Sequence, residues 1–460
     1  MKIPASWSEL RIGVLGLGRS GRAATRLLAE AGASVYASDV ADTDELRAEA
    51  EALRGPRVEV ELGRHDARAL EGCDLIVASP GIPPGAEVFQ AAGVRSRPII
   101  SELELAFSFL DAPVIAVTGT NGKTTTTAWI AAMLERAGIK VGVGGNIGRA
   151  LSEIAIDSDA GYEWVVAEVS SFQLADIDRF KPAIGVFLNL CPDHLDWHVD
   201  IEDYYAAKAR LFDNADSDSR WVLNGEDDGV LRLAARQPGS AWYFRVASPL
   251  AAGEQGAFIA ENDVLTARYG GAEVELVARS DLKLLGTHNV ANALASVLAA
   301  ALAQVPLAAL REGLREFEPL PHRLQPVTEK DGVLWVNDSK ATNVASTRVA
   351  LQAMDRPVVL LLGGRPKGES FAALLPDLRE RVRAVVAYGE AAAQIESELG
   401  GEIALVREDG SFEDVVRRAR DLAKPGDSAL LAPACASFDM FRNYEERGER
   451  FMALLGREPS

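Results

Sequence analysis

Short apolar runs alternate with longer stretches of helical spacing along the chain. "RIGVLGLG" is a strand entering a glycine turn, "RAATRLLAEAG" a helix with its stop at Gly32, and "SVYASD" a second strand. "CDLIVASPGIP" is another strand, ended by Pro80, Gly81 and Pro83. The rhythm repeats in "APVIAVTG", "YEWVVAEVS", "AIGVFLNL" and "RWVLNG", and again in "GVLWVNDSKATN", "RPVVLLLGG", "RAVVAYGE" and "SALLAPACASFDMF". Strand–helix alternation of this kind builds parallel sheets covered by helices. The segment 247–279 is richer in glycine and alternates apolar with polar, which predicts a small antiparallel excursion. Pro319, Pro321 and Pro326 punctuate a linker. The pattern therefore predicts an α/β chain of three domains in series, over residues 1–100, 101–318 and 319–460.

Length agrees, since 460 residues make about three domains. The net charge is −19, from 48 Lys and Arg against 67 Asp and Glu. A general nucleic-acid binder needs basic surface to neutralise phosphates, so no nucleic-acid partner is expected. Anionic small substrates remain open, provided cations gather locally in a site. Cys73, Cys191 and Cys435 lie far apart and show neither metal nor disulfide spacing, which suits a reducing cytoplasm. "MKIPASWSEL" carries no apolar core of a secretory signal. The most apolar long run, 290–310, contains Asn292, Ser296, Gln304 and Pro306, and reads as a buried helix ended near the proline. No membrane span is expected.

Candidate chemistry begins at "VIAVTGTNGKTTTTAWI", a strand, a glycine-bracketed turn and a helix start. Backbone N–H groups at a helix start favour an anion, and glycines let the backbone wrap it. Gly119, Thr120, Asn121, Gly122, Lys123, Thr124 and Thr125 form the predicted phosphate loop. Lys123 would reach the terminal phosphates and the Thr124 hydroxyl would ligate Mg²⁺. Val117 stands where the usual pattern has its first glycine, so the spacing is that of a variant loop. Glu168 ends an apolar strand, where a carboxylate is costly unless paired or metal-bound. "NLCPDHLDWH" puts Asp193, His194, Asp196 and His198 in a loop after another strand, where α/β sheets hold ligands. A ligand role and a structural role are both open for these histidines. Tyr204, Lys208, Leu211 and Phe212 share one helix face. Lys208 on that apolar stripe is either desolvated and reactive or snorkelling to water. "GLGRSG" spaces Gly16, Gly18 and Gly21 for a pyrophosphate turn, and Asp39 closes the next strand where a ribose partner would sit. A nicotinamide-dependent dehydrogenase would use that turn, but it leaves the second phosphate loop unexplained.

Taken together, these stretches resemble the Mur ligases. The resemblance covers nearly the whole chain, through "GLGRSG", "ASPGIP", "VTGTNGKTTT", "GGNIG", "EVSSFQL", "DHLD", "AAKARLF", "GTHNVANALA", "LPHRLQ", "NDSKATN" and "PACASFDMFRNYEERGERF". It implies a Rossmann-like N-terminal domain for the sugar nucleotide, a central P-loop ATPase-like domain, and a Rossmann-like C-terminal domain for the amino acid. It further implies a ligase that uses ATP to join D-glutamate to UDP-N-acetylmuramoyl-L-alanine through an acyl phosphate, in peptidoglycan precursor synthesis; a cytoplasmic monomer is expected. Lys123 would neutralise the phosphates. Thr124 and Glu168 would hold one Mg²⁺, and His194 with a carbamylated Lys208 a second. Asn289 and Arg323 would meet the nucleotide, with Asp338 on its ribose. Arg19, Ser20, Asp39, Gly81 and Asn146 would hold the UDP-sugar. Lys340, Thr342, Lys367, Ser437 and Tyr444 would line the glutamate site. Two alternatives stay open: a ligase of the same family using another amino acid, L-glutamate included, or a nucleotide-gated binding protein that hydrolyses ATP.

Overall fold

The computed structural model describes residues 6–192 and 197–456. Three sheets follow one another along the chain. The first contains β1 (Arg11–Leu15), β2 (Ser34–Asp39), β3 (Val58–Leu62), β4 (Leu75–Ala78) and β5 (Ile99–Ser101), in the order β3-β2-β1-β4-β5. All its pairings are parallel. β1 ends on Gly16, whose φ of +83° suits only glycine, and the helix Arg19–Glu30 starts at once. A Cβ on Gly21 would lie 1.7 Å from the Gly16 carbonyl oxygen, so the helix touches the turn backbone to backbone. Asp39 closes the same turn, accepting from Leu17 N at 2.6 Å and Ala41 N at 2.8 Å.

The second sheet contains β6 (Val114–Thr118), β7 (Val141–Gly145), β8 (Trp164–Glu168), β9 (Ile184–Phe187), β10 (Arg220–Asn224), β11 (Ser240–Arg245), β12 (Gly256–Ile259), β13 (Val264–Tyr269) and β14 (Ala272–Ala278). Its order is β14-β13-β12-β11-β10-β9-β6-β8-β7. The strands from β6 to β12 pair in parallel, while β12-β13-β14 is antiparallel. The glycine-rich excursion thus exists, and it continues the main sheet rather than standing apart. Every residue of β6 and β9 is buried, as expected of strands covered on both faces. A continuous apolar core joins the first and second sheets, from Ile12 and Leu28 through Leu103 to Ile154 and Phe187.

The third sheet contains β15 (Gln325–Lys330), β16 (Val333–Asn337), β17 (Val358–Gly363), β18 (Val382–Tyr388), β19 (Leu405–Glu408) and β20 (Ser428–Leu431), in the order β15-β16-β20-β17-β18-β19. Only β15 is antiparallel to its neighbour. By contacts the chain divides into two compact units. Met1–Arg279 with Ala291–Arg315 carries the first two sheets, and Ser280–Val290 with Glu316–Ser460 carries the third. Among the described residues no helix is long and apolar enough to cross a membrane; the apolar run near residue 300 is the helix Thr287–Leu302.

The Gly21 contact yields a direct test. Gly21→Ala must push the helix off the turn, at a cost of about 1–3 kcal/mol, typical of overpacking. Thermal unfolding would show an earlier first transition; an unmoved one would refute the contact.

Candidate active site

β6 lies between β8 and β9, so the loop that leaves it emerges where the chain turns to both sides of the sheet. Such switch points hold ligands in open α/β sheets. Gly122 has φ +86°, and a Cβ there would lie 2.3 Å from Asn292 Oδ1. The helix Lys123–Arg136 starts on this glycine, which brings no side chain to cap it. Asn189, just beyond β9, fixes the loop. Its Oδ1 accepts from Thr120 N at 3.1 Å and Asn121 N at 2.8 Å, and its Nδ2 donates to Asn121 O at 3.0 Å. Lys123 Nζ donates to the carbonyls of Gly119 (3.1 Å) and Thr120 (2.7 Å). A rigid backbone turn, a lysine and a helix N-terminus together favour bound phosphate.

Register puts Glu168 beside this loop: it pairs with Val117 on one side and Gly145 on the other. The residue is 2 % exposed. Oε1 accepts from Asn146 Nδ2 at 3.0 Å, while Oε2 is buried without a hydrogen-bond partner among the described residues. A carboxylate oxygen left without a donor is costly, and it is the group a hard cation takes. The donor chemistry therefore fits Mg²⁺, with Thr124 as the second residue of the adjoining helix. Among the described residues no three His, Cys, Asp or Glu side chains gather into a metal cluster. Glu168 would work with hydroxyl, water and phosphate oxygens, as Mg²⁺ sites commonly do. His194, Asp193 and Asp196 lie outside the described residues.

Asp200 caps the helix Ile201–Ala209, accepting from Asp203 N at 2.8 Å. Tyr204, Lys208, Leu211 and Phe212 are all buried, as the stripe predicted. Lys208 does not snorkel: its Nζ donates to Gly119 O at 2.9 Å and lies 4.9 Å from the centre of the Tyr204 ring. Two lysine side chains therefore meet on one carbonyl oxygen. His198 is a brace and not a ligand. Its Nδ1 pairs with Asp203 Oδ2 at 2.9 Å and its Nε2 with Ser171 Oγ at 3.0 Å, so both ring nitrogens are engaged.

Of the residues expected at the sugar nucleotide, Arg19 reaches the Asn146 carbonyl at 3.4 Å, which links the glycine turn to Glu168 through Asn146. Ser20 is the second residue of the helix after that turn. Gly81 lines a pocket of about 630 Å³ with Val40, His65 and Ile82.

In the second unit the loops after β16, β20 and β17 lie side by side. Arg365 N donates to Ala436 O at 2.9 Å and Ala436 N to Arg365 O at 3.0 Å. Arg447 is fully buried and joins the other pair. Its Nε donates to Ser339 Oγ (3.0 Å), and its Nη2 to Ser339 O (2.9 Å) and Cys435 O (3.2 Å). Lys340 Nζ lies 3.7 Å from the centre of the Tyr444 ring, and Lys367 Nζ donates to Thr342 Oγ1 at 3.1 Å. Ser437 is buried at the end of the same loop system. Asp338 accepts from Leu324 N at 3.1 Å; burial pushes its carboxyl up to about 7, against that bond and the nearby Arg323. Asn289 is buried, its Nδ2 donating to Leu285 O at 2.7 Å.

Comparison with known proteins gives the family. Three family descriptions match in series: a MurD-like N-terminal domain over residues 10–101, the Mur ligase middle domain over 117–300, and the Mur ligase glutamate ligase domain over 322–435. The UDP-N-acetylmuramoylalanine–D-glutamate ligase of Acidobacterium capsulatum is 43 % identical, over 96 % of this chain and 95 % of the relative. That of Salinibacter ruber is 41 % identical, over 98 % and 99 %. The chain belongs to the Mur ligase family. Solved structures share the fold: UDP-N-acetylmuramate-alanine ligase of Thermotoga maritima has a TM-score of 0.56 at 20 % identity, covering 97 % of this chain and 99 % of that one. A pseudomurein peptide ligase type C of Methanothermus fervidus gives 0.55 at 19 %, covering 92 % and 96 %.

Two residues of this Mur ligase escaped the sequence reading. Asn189 opens the "NLCPDHLDWH" stretch, but only the acidic and histidine residues of that stretch drew notice. Arg447 had a usable signal, since it shares a helix face with Tyr444, Gly448 and Phe451, as Lys208 does with its stripe.

Asn189→Ala should loosen the loop and raise the ATP dissociation constant about tenfold, the scale of a small misplacement. Titration calorimetry with a non-hydrolysable ATP analogue measures this; unchanged affinity would reject the clamp. Asp338 supplies a pH test. Its folded pKa of about 7 stands above the ordinary 3.8, so the folded state holds the extra proton between them. Stability from this group is full below pH 4 and is lost as pH rises toward and through 7. Asp338→Asn should flatten the fall in melting temperature across that window; an identical slope would contradict it.

Proposed function

We propose that this ligase joins D-glutamate to UDP-N-acetylmuramoyl-L-alanine at the expense of ATP, a step of peptidoglycan precursor synthesis. The observation that carries the chemistry is a glycine-bracketed loop at a helix start, set beside a buried carboxylate oxygen that no donor among the described residues satisfies. The names of the full-length relatives support the substrates and the choice of D-glutamate.

The substrate carboxylate is a poor electrophile. It attacks the γ-phosphorus of ATP, giving an acyl phosphate and ADP. The glutamate amine then attacks the acyl carbon, the tetrahedral adduct expels phosphate, and the amine proton leaves to a base. The protein positions and neutralises, as in other phosphoryl transfers. Lys123, held on its own loop carbonyls, offsets phosphate charge. Glu168 and Thr124 would hold Mg²⁺, which supplies Lewis-acid stabilisation of the phosphoryl oxygens. Two ions are part of the reading, with His194 and Lys208 as ligands of the second. Carbamylation of Lys208 would turn one of two crowded cations into a carboxylate-like ligand, relieving like-charge repulsion on the Gly119 carbonyl. Arg19, Ser20, Asp39, Gly81 and Asn146 hold the UDP-sugar. Lys340, Thr342, Lys367, Ser437 and Tyr444 receive glutamate, and Asn289, Arg323 and Asp338 the nucleoside. The three domains have boundaries near residues 100 and 318, and the enzyme works as a cytoplasmic monomer.

Phosphate release with UDP-N-acetylmuramoyl-L-alanine, ATP and each glutamate enantiomer tests the reaction. Release should require both acceptor and D-glutamate; release without any amino acid would favour a nucleotide-gated hydrolase. Glu168→Gln and Lys208→Ala should each lose about 100-fold or more in kcat/KM, at least the loss seen when groups supporting a metal are removed. Added acetate should partly restore Lys208→Ala. No rescue, with no carbamate signal by ¹³C NMR under labelled CO₂, would remove the modified lysine.

A further inference from the structure

We propose that His65 reads the heterocycle of the sugar nucleotide, its Nε2 donating a hydrogen bond to the uracil O4 carbonyl in the pocket beside the glycine turn. This rests on the UDP-sugar reading above and adds a specificity residue to it.

The pocket measures about 630 Å³, within the range of small-molecule sites. It adjoins the turn that would carry the diphosphate, because the Ile82 side chain that lines it lies 3.5 Å from where a Cβ of Gly16 would stand. Asp39, which closes that turn, is followed directly by Val40 in the pocket wall. Val40 is 66 % exposed. With Ile82 and Pro83 it offers apolar surface on which a planar ring can lie. Polar side chains in the wall are few: Arg64, His65 and Glu87. Arg64 is paired with Glu61.

His65 is oriented from behind. The buried Ser38 hydroxyl stands 2.8 Å from Nδ1, so Nε2 is the nitrogen left for a ligand. Ser38 is in turn fixed by the turn, its carbonyl accepting from Gly16 N at 2.8 Å. Burial lowers the His65 pKa, against the pull of Asp39 and Glu61, which keeps the ring neutral at neutral pH. A neutral imidazole has one donor and one acceptor nitrogen. We take the Ser38 hydroxyl as the donor to Nδ1, which leaves the hydrogen on Nε2. Uracil presents carbonyl oxygens at its edge. Cytosine replaces O4 with an amine, which would set donor against donor. Sites built on a hydrogen bond discriminate well because the wrong partner leaves a polar group unpaired.

The test compares UDP-linked N-acetylmuramoyl-L-alanine with its CDP-linked analogue in the full-length enzyme, by phosphate release. Wild type should favour the uridine substrate by about 100-fold in kcat/KM. His65→Ala should reduce that preference to within about fivefold, through a rise in KM for the uridine substrate with kcat within about twofold. His65→Gln, which keeps an N–H donor, should recover part of the preference. A His65→Ala enzyme with wild-type selectivity overturns the proposal while leaving the ligase reading intact. A wild type that turns over neither acceptor overturns both. Should the variants fold poorly, ¹⁵N-histidine NMR of the unsubstituted protein decides. The UDP-linked acceptor must shift the His65 Nε2 resonance, and a stationary resonance at saturation rules the contact out.

Discussion

The parallel register of β6 with β8 and β9 is the constraint from which the site follows. Because Val117 pairs with Glu168, the carboxylate surfaces at the level where β6 turns into its loop. Because Thr118 pairs with Phe187, the residue two beyond β9, Asn189, arrives on the other side of that loop. A slip of one residue would turn Glu168 to the opposite face of the sheet. β6 and β9 are buried along their whole length, and β8 from Val165 to Glu168. Catalytic geometry is thus inherited from the apolar core, and the loop only occupies the place the core leaves for it.

Around this frame, cations are held in a particular way. The chain carries a net charge of −19, yet its proposed substrates are all anions. Lys123 and Lys208 donate to carbonyl oxygens, Lys367 to a hydroxyl, and buried Arg447 to Ser339 and the Cys435 carbonyl. A carbonyl or hydroxyl accepts the hydrogen bond without itself carrying a compensating charge. Surface arginines behave differently. Arg365 with Glu390 and Arg356 with Glu329 are neutralised in place and exposed, and contribute little field or stability.

The central strands of all three sheets were legible in the sequence, since burial on both faces writes a continuous apolar run. What escaped were mostly the edges. β3 reads "VEVEL", β7 "VGVGG" and β19 "LVRE", each at a sheet edge with a single neighbour and each broken by glycine or charge. The site divided in the same way. The phosphate loop, Glu168 and the buried stripe of Lys208 were visible because each breaks a local pattern in a costly direction. Asn189 breaks none: an asparagine after a strand is ordinary, and only the β9–β6 pairing gives it work. His198 shows the converse. Its position in a polar loop left a ligand role and a structural role open, and tertiary contacts with Ser171 and Asp203 engage both nitrogens.

Glu168 also explains why this region tolerates a locally unfavourable arrangement. A buried carboxylate oxygen without a donor costs about 1–3 kcal/mol. The side chain cannot relieve this by turning, because Asn146 holds Oε1 at 3.0 Å and its own backbone N–H donates to the Glu168 carbonyl at 2.9 Å. Asn146 therefore does two things at once: it satisfies half of the carboxylate and keeps the other half in place. Replacing Glu168 with an apolar residue would be the easy way to stabilise β8. A cation bound as proposed above would offset that cost.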